Sequence, residues 1–349
     1  MSYAIGVLGA TGQVGREFLR ILEEGDRPGL PIGSLRLFAS ERSGGKRVKV
    51  RGMEHTVEVA RANPRLFEGL DFVISAIGDV EAKTMAPAVA KAGALDVDKS
   101  NAWRMDPSVP LVVPEVNPEA AKQHHGIIAG PNCSTTQMVV ALWPIHKVNR
   151  IKRIIVDTYQ AVSGTGWRAV DELQAQIHNT GASNQVYPHR IHLNVFPEIG
   201  GLKGDGLYSE ERKMIDETRK IFSEPDLAIS ATCVRVPVAV GHSEAIHLEL
   251  ERPMAPEEAR EILSEAPGVV VVDDPRMSQY PTPLEVAGKD PVYVGRVRSD
   301  PSHPGGLALW VVGDNLRKGA ALNAIQVFEL VARNRWQIAS SRQRQEVHA

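Results

Sequence analysis

One cysteine in this chain stands where a nucleophile could be made. In Gly130-Pro-Asn-Cys-Ser-Thr-Thr-Gln-Met138 a loop passes into an apolar helical stretch, which puts Cys133 at a helix N-terminus. Unpaired amides and the helix dipole stabilise a thiolate there, lowering the thiol's pKa and raising its nucleophilicity. The same position also suits a buried structural cysteine, the fate of many free thiols. The other cysteine, Cys233, lies in the β-branched run Ala231-Thr-Cys-Val-Arg-Val236 and reads as core. Neither has a second cysteine at ligand spacing, so no metal site is expected. Two cysteines cannot frame a disulfide scaffold, and they suit a reducing compartment.

A second stretch has the form of a dinucleotide loop. Gly6-Val-Leu-Gly9-Ala-Thr-Gly12-Gln-Val-Gly15 sits between an apolar strand and a helical pattern. Glycines at these positions allow a tight turn and close approach of backbone amides to a pyrophosphate. The helix N-terminus adds partial positive charge. Gly9, Thr11, Gly12, Gln13, Val14 and Gly15 are therefore candidate cofactor contacts, against the plainer reading of a glycine-rich turn. At the end of the second strand comes Ala39-Ser40-Glu41-Arg42-Ser43-Gly44. Ser40, Arg42 and Ser43 suit a ribose 2′-phosphate, which favours NADP. Glu41 leaves NAD open, and a solvated charged loop is the plainer alternative.

These residues need elements to hold them. Tyr3–Leu8, Leu35–Ala39, Phe72–Ile77 and Leu95–Val97 read as buried strands, alternating with helical patterns at Val14–Glu24 and Val80–Ala92. That spacing argues for a doubly wound parallel sheet. From Ile151 the pattern changes to long alternating runs. In Ala245–Leu250, Ile246, Leu248 and Leu250 face one way and His247 and Glu249 the other, as in a half-exposed mixed sheet. A last helix is expected over Gly319–Ala332, followed by a polar tail from Arg333.

Composition narrows the partners. The 349 residues carry a formal net charge of −2, without the basic excess that a phosphate backbone demands, so nucleic acid is not expected. No apolar run reaches the ~18–20 residues that span a bilayer. The N-terminus enters a strand directly, with no charged-then-apolar leader. A soluble, cytoplasmic, two-domain protein is expected.

Side by side, these segments resemble the aspartate-β-semialdehyde dehydrogenase family, and the resemblance covers nearly the whole chain. It is carried by the glycine loop, Trp103-Arg-Met-Asp106, Val112-Val-Pro-Glu-Val-Asn117 and Pro131-Asn-Cys-Ser-Thr135. Tyr159-Gln-Ala-Val-Ser-Gly164, Arg235-Val-Pro-Val-Ala-Val-Gly-His-Ser243 and Asp314-Asn-Leu-Arg-Lys-Gly319 continue it in family order. The chain departs from the family pattern at Asp98-Lys-Ser-Asn101, usually Asp-Asn-Ser-Ser, and at Gly130, usually Asn.

The resemblance implies an NADP-binding Rossmann domain over 1–132 plus 314–349, and an α+β catalytic and dimerisation domain with a mixed sheet over 133–313. It implies reversible, phosphorylating oxidation of L-aspartate-4-semialdehyde to 4-phospho-L-aspartate, run reductively toward lysine or diaminopimelate, methionine and threonine. Cys133 would be the nucleophile and His242 the acid/base. Gln160 and Arg235 would hold the substrate and Glu210 its amino group, while Arg104 and Lys213 would bind phosphate. Ser163, Gly164 and Asn315 would contact the cofactor. A homodimer, or a dimer of dimers, is implied.

From spacing alone each of these has a plainer reading. His242 follows Gly241 and could be a solvated turn histidine. Arg235 could be a surface cation. Glu210 and Lys213, on a helix capped by Ser209 with Glu217 on the same stripe, could form an exposed ion-pair lattice. Gln160 is suited to a site without being diagnostic, and Arg104 could be only a loop cation. The rival activities are an N-acetyl-glutamyl-phosphate reductase type, which typically has Pro-Gly-Cys-Tyr, a non-catalytic dinucleotide-binding paralogue, and a cysteine hydrolase.

Overall fold

The computed structural model describes residues 2–25, 29–179 and 181–336, so most of the polar tail, 337–349, lies outside the described residues. The chain divides into two compact units. One takes the described parts of Met1–Pro131 and Ala320–Ala349, and the other takes Asn132–Gly319.

In the first unit, strand β1 (Tyr3–Leu8) leads through helix α1 (Gln13–Glu23) to β2 (Ile32–Ala39). The hairpin β3 (Arg47–Val50) and β4 (Met53–Val59) follows, then β5 (Phe72–Ser75), α2 (Asp79–Lys91), β6 (Leu95–Asp98) and β7 (Ile127–Ala129). The sheet order is β3-β4-β2-β1-β5-β6-β7. All neighbours pair in parallel except the β3–β4 hairpin. The chain leaves β1 first to one side and later to the other, so the loop after β1 lies at the topological switch point, where α/β sheets bind ligands.

Both faces of β1 are covered, which is why it reads as an unbroken apolar run. Ile5 and Val7 join a cluster with Phe18, Phe72 and Phe328, and Leu8 joins another with Phe38, Phe67 and Val89. Phe328 comes from the closing helix Leu322–Asn334, and its ring lies 4.7 Å from that of Phe72.

The second unit runs α3 (Cys133–Val148), β8 (Ile151–Gln160), α4 (Trp167–His178), α5 (Ser209–Phe222), β9 (Ala228–Arg235), β10 (His242–Leu250), α6 (Pro256–Ser264), β11 (Val269–Val271), α7 (Pro283–Val286), β12 (Val292–Ser299) and β13 (Leu307–Gly313). Its six-stranded sheet, β11-β12-β13-β10-β8-β9, is mixed as expected. The β8–β9 and β11–β12 pairs are parallel and the rest antiparallel. Helix α3 is buried almost all round from Ser134 to Leu142. Along β10, His242, Glu244, Ile246 and Leu248 are buried while Ala245, His247 and Glu249 are only half-buried.

Three local expectations change. The β-branched run through Val236 ends as a strand one residue early: β9 stops at Arg235, ahead of Pro237, which brings no N–H to a ladder. The last helix begins at Leu322, not Gly319, after a wide π-type turn at Arg317–Ala321. The Asp314 carboxylate, accepting from the N–H groups of Leu316 and Arg317, holds the chain just before that turn. Helix α5 is capped by Tyr208 rather than Ser209, with the Tyr208 N–H donating to Glu211 at 2.7 Å.

Candidate active site

Cys133 is the first residue of α3, and Asn132 caps the helix. The Asn132 side-chain oxygen accepts from the N–H groups of Ser134 at 2.9 Å and Thr135 at 3.2 Å. Its amide nitrogen donates to Glu210 Oε1 at 2.8 Å, and its backbone N–H donates to Glu217 Oε2 at 2.6 Å. The cap thus ties the cysteine's helix to α5. Lys213 Nζ donates to the other Glu210 oxygen at 3.1 Å. Glu210 and Glu217 are buried, so this stripe is the floor of a site and not an exposed lattice. Burial pushes the Glu210 carboxyl up, but Lys213, the Asn132 amide and Arg235 outweigh it and hold the group below its usual range.

Opposite this floor lie the ends of β8, β9 and β10. His242 is completely buried and accepts the Ala161 N–H at Nδ1, 3.0 Å away. Burial, with the Arg235 charge next, pushes its imidazole down to about 3, against the pull of Glu210. Arg235 Nη1 donates to the Ala161 carbonyl at 2.5 Å, and its guanidinium lies 5.9 Å from the Tyr187 ring centroid. Gly164 sits over both: a Cβ there would lie 3.2 Å from Arg235 Nη1 and 3.2 Å from His242 Nε2. The space that a side chain at 164 would fill is therefore bounded by a guanidinium and an imidazole. Gln160, also buried, donates from Nε2 to Thr158 Oγ1 at 3.2 Å. Asn315 donates to Ser163 Oγ at 2.9 Å and accepts the Gly241 N–H at 2.9 Å, linking the 163 loop to the residue before His242.

Cys133 is half-buried and outside any disulfide among the described residues. Gly319 backs it: a Cβ there would meet the cysteine's Cβ at 2.8 Å. Cys233 is fully buried as expected, 3.8 Å from the Met214 sulfur, and burial pushes its thiol far up.

The first unit holds the dinucleotide candidates. Gly9 has φ +87, and a Cβ there would fall 2.3 Å from the Ala76 carbonyl oxygen. A Cβ at Gly15 would fall equally close to the Gly9 oxygen. Only glycine permits this loop, and Gly12 caps α1 immediately after it, a cradle suited to a pyrophosphate. Thr11 Oγ1 donates to Ser43 Oγ at 3.2 Å, joining the loop to the turn after β2, where Ser40 and Arg42 are exposed. Arg104 is buried, donating to the carbonyls of Gly130 at 3.0 Å and Lys99 at 2.8 Å. The two departures from the family pattern belong together, because a Cβ at Gly130 would meet the Lys99 Cδ and Nζ at 2.7 Å.

Residues 4–124 match the family model described as semialdehyde dehydrogenase, NAD binding domain, and residues 142–318 match semialdehyde dehydrogenase, dimerisation domain. An aspartate-semialdehyde dehydrogenase of Aquifex aeolicus is 49% identical over 340 residues, 95% of this chain and 99% of that protein. The chain belongs to the aspartate-semialdehyde dehydrogenase family. The Bacillus subtilis member is 43% identical, covering 93% of this chain and 96% of its own. A crystal structure of aspartate semialdehyde dehydrogenase II from Vibrio cholerae superimposes with a TM-score of 0.90 at 40% identity over 96% of this chain and 99% of that one. The same enzyme has been solved complexed with ASA at the same score of 0.90.

In this aspartate-semialdehyde dehydrogenase fold, the expected residues of the second unit converge. Cys133, Ser163, Gly164, Glu210, Lys213, Arg235, His242 and Asn315 are linked by the contacts above, and Gln160 pairs with Arg235 across β8 and β9. Asn132, Gly319 and Glu217 were not singled out for a role by sequence. An Asn directly before a helix start is a cap signal and could have marked the first; nothing in spacing marks the second.

Proposed function

We propose that the chain catalyses reversible, NADP-dependent, phosphorylating oxidation of L-aspartate-4-semialdehyde to 4-phospho-L-aspartate. One observation carries this reading most: the helix cap of Cys133 is hydrogen-bonded to Glu210 at 2.8 Å, while Arg235 and His242 share the space over Gly164. A thiol at a helix N-terminus, an anion for an amino group, a guanidinium for a carboxylate and an imidazole match an amino-acid aldehyde group by group.

In this mechanism the Cys133 thiolate adds to the aldehyde, giving a thiohemiacetal that Arg235 and Glu210 hold by its far end. His242 faces the reacting oxygen with Nε2. As it stands, the ring donates a hydrogen bond from Nε2 to the oxyanion; to act there as a base it must carry its proton on Nδ1 instead, which requires Nδ1 to leave the Ala161 amide. Loss of hydride leaves a thioester on Cys133, which keeps the acyl group activated for phosphate. Bound NADP supplies the hydride acceptor. Gln160 positions the acyl group, and Lys213 and Arg104 attract the phosphate. Gly9, Thr11, Gly12, Gln13, Val14 and Gly15 cradle the pyrophosphate, Ser40, Arg42 and Ser43 take the 2′-phosphate, and Ser163, Gly164 and Asn315 serve the cofactor's reactive end. Support for NADP over NAD comes from Arg42, an exposed cation beside Ser43 in the turn after β2.

The first unit is accordingly the cofactor domain and the second the catalytic and dimerisation domain. Tyr159 is 39% exposed on the outer face of β8, consistent with a homodimer through that sheet, and a dimer of dimers extends it. No helix among the described residues is long and apolar enough to cross a membrane, and a thiol nucleophile suits a cytoplasmic setting.

The test is NADPH formation from the semialdehyde, NADP and phosphate, with phosphate omitted in one arm and Cys133→Ser in another. Turnover that needs both supports the proposal. Turnover only with N-acetyl-glutamate semialdehyde overturns it. Sedimentation equilibrium showing monomer alone overturns the dimer.

A further inference from the structure

Beneath the reacting groups lies a second layer of polar side chains. Gln137 is one helical turn after Cys133, on the same face of α3. Its Nε2 donates to the backbone carbonyl of His242 at 3.3 Å, so it bridges the nucleophile's helix to the histidine's strand. Its seat exists because Gly313, which pairs with His242 across β10 and β13, has no side chain. A Cβ at 313 would lie 2.8 Å from Gln137 Oε1. Two residues after His242, on the same face of β10, comes Glu244, flanked by Thr158 on β8 and Val311 on β13. Glu244 is fully buried beside the Gln137 amide, with the Cys233 thiol near it on β9.

The donor count in this layer does not close for an ionised carboxylate. Gln137 Oε1 and both Glu244 oxygens are buried without a hydrogen-bond partner among the described residues. An ionised carboxylate has no proton to give and would leave all three buried acceptors unfed, a costly arrangement. One proton on Glu244 supplies the donor that Gln137 Oε1 lacks. We propose that Gln137 and an uncharged Glu244 form a buried clamp, Glu244 O–H to Gln137 Oε1 and Gln137 Nε2–H to the His242 carbonyl, which sets the distance between Cys133 and His242. Burial favours that proton, pushing the Glu244 carboxyl well above its usual range against the pull of the Gln137 amide. Both are positioning residues: neither reaches the substrate, and each acts through the depth at which α3 sits over β10.

The inference rests on the proposed thiol chemistry of this site but not on the identity of the substrate. Its test uses Glu244→Gln, Glu244→Leu and Gln137→Met in the full chain. Two readouts are taken: kcat and KM in the semialdehyde assay, and the pH profile of Cys133 alkylation by iodoacetamide, which needs neither substrate nor cofactor. Cys233 does not interfere, being buried with its thiol pushed up. Glu244→Gln keeps a donor for Gln137 and should retain both the wild-type kcat and the alkylation profile. Glu244→Leu and Gln137→Met should lower kcat by about 10²-fold with KM little changed, as a misplacement near 1 Å does, and should shift the profile. A Glu244→Gln variant as impaired as Glu244→Leu overturns the uncharged clamp, and Gln137→Met with wild-type kcat and profile overturns the bridge. Should Glu244→Leu fail to fold, Glu244→Gln against Gln137→Met still decides. If the wild type turns over no semialdehyde while the alkylation profiles shift as expected, the clamp stands and the substrate reading falls.

Discussion

The backbone N–H of Ala161 points at Nδ1 of His242 from 3.0 Å. A main-chain amide can only donate, so Nδ1 is the ring's acceptor and the neutral imidazole carries its proton on Nε2. That nitrogen has no protein partner among the described residues and lies 3.2 Å from where a side chain at 164 would begin. The site therefore holds its histidine in one tautomer, with the proton facing the space where the aldehyde carbon would react.

With its value pushed down to about 3, the ring should stay neutral, with Nε2 protonated, throughout the range above pH ~5, instead of titrating near the usual ~6.5. Nitrogen-15 NMR of the imidazole checks this; a protonation step near 6.5 would sink it. The folded value lies below the unfolded one, so the unfolded chain binds the extra proton. The ring's contribution to stability is thus intact above ~6.5 and is lost as pH falls toward the folded value. His242→Ala should cost the ~10²–10⁴ in kcat expected for a lost acid/base group.

Gly319→Ala tests how closely the nucleophile is backed. The added Cβ would sit 2.8 Å from that of Cys133 and 3.2 Å from its Cα. Backbone cannot yield as a side-chain tip would, so overpacking should cost about 1–3 kcal/mol of stability. Turnover should fall by about 10²-fold as Cys133 moves. A folded variant with wild-type kcat and alkylation rate would refute the backing role.

Asn132→Ala removes a cap and an anchor together. The cap alone is worth about 1 kcal/mol, visible as a lower Tm. The lost hydrogen bond to Glu210 should also raise KM for the semialdehyde, since Glu210 then keeps only the Lys213 hydrogen bond and the Arg235 charge among the contacts described. A Tm loss with no change in KM would reduce Asn132 to a cap.

How much of this was legible from sequence depends on the distance over which the determining contacts act. The glycine loop was legible because Gly9 and Gly15 answer to atoms within or beside their own loop. Cys133 was legible because helix N-termini have local signals. Glu210 and Lys213 read from spacing as a surface lattice, since what distinguishes them is the burial of Glu210 and its bond to Asn132, 78 residues away in sequence. The strand read over Ala231–Val236 is there but stops at Arg235, ahead of Pro237, and the helix expected from Gly319 begins only at Leu322 because the turn before it is set by Asp314. Gln137 and Glu244 give no pattern at all: one looks like a polar helix residue and the other like a strand's exposed charge until β10 lies under α3.

Cofactor choice should turn on Arg42. As an exposed cation beside Ser43, it has a charge-assisted bond to offer a 2′-phosphate, worth about 1.5–3 kcal/mol. Arg42→Ala should therefore lower kcat/KM for NADP by roughly 10- to 100-fold and leave NAD unaffected. Equal losses with both cofactors would mean that Arg42 supports the loop and does not read the phosphate.

A last prediction concerns stability in the first unit. Asp96 is completely buried on β6, with Ser75 Oγ donating to Oδ1 at 2.6 Å and Oδ2 without a partner among the described residues. Burial first, and the like charge of Asp98 second, hold its carboxyl well above the usual range against the Ser75 hydroxyl. Asp98, two residues on, is raised to about 6 mainly by burial. For a carboxyl raised in the folded state, the unfolded chain gives up its proton first. The stabilisation is thus complete below pH ~4 and is lost as pH rises through the folded value. Asp96→Asn keeps an acceptor for Ser75 and has no proton to lose. Its Tm should match the wild type near pH 4 and exceed it by a margin that widens toward pH 8. A difference that stays flat with pH, or an asparagine variant less stable at pH 8, would mean that Asp96 is ionised in the folded protein with compensation from its surroundings.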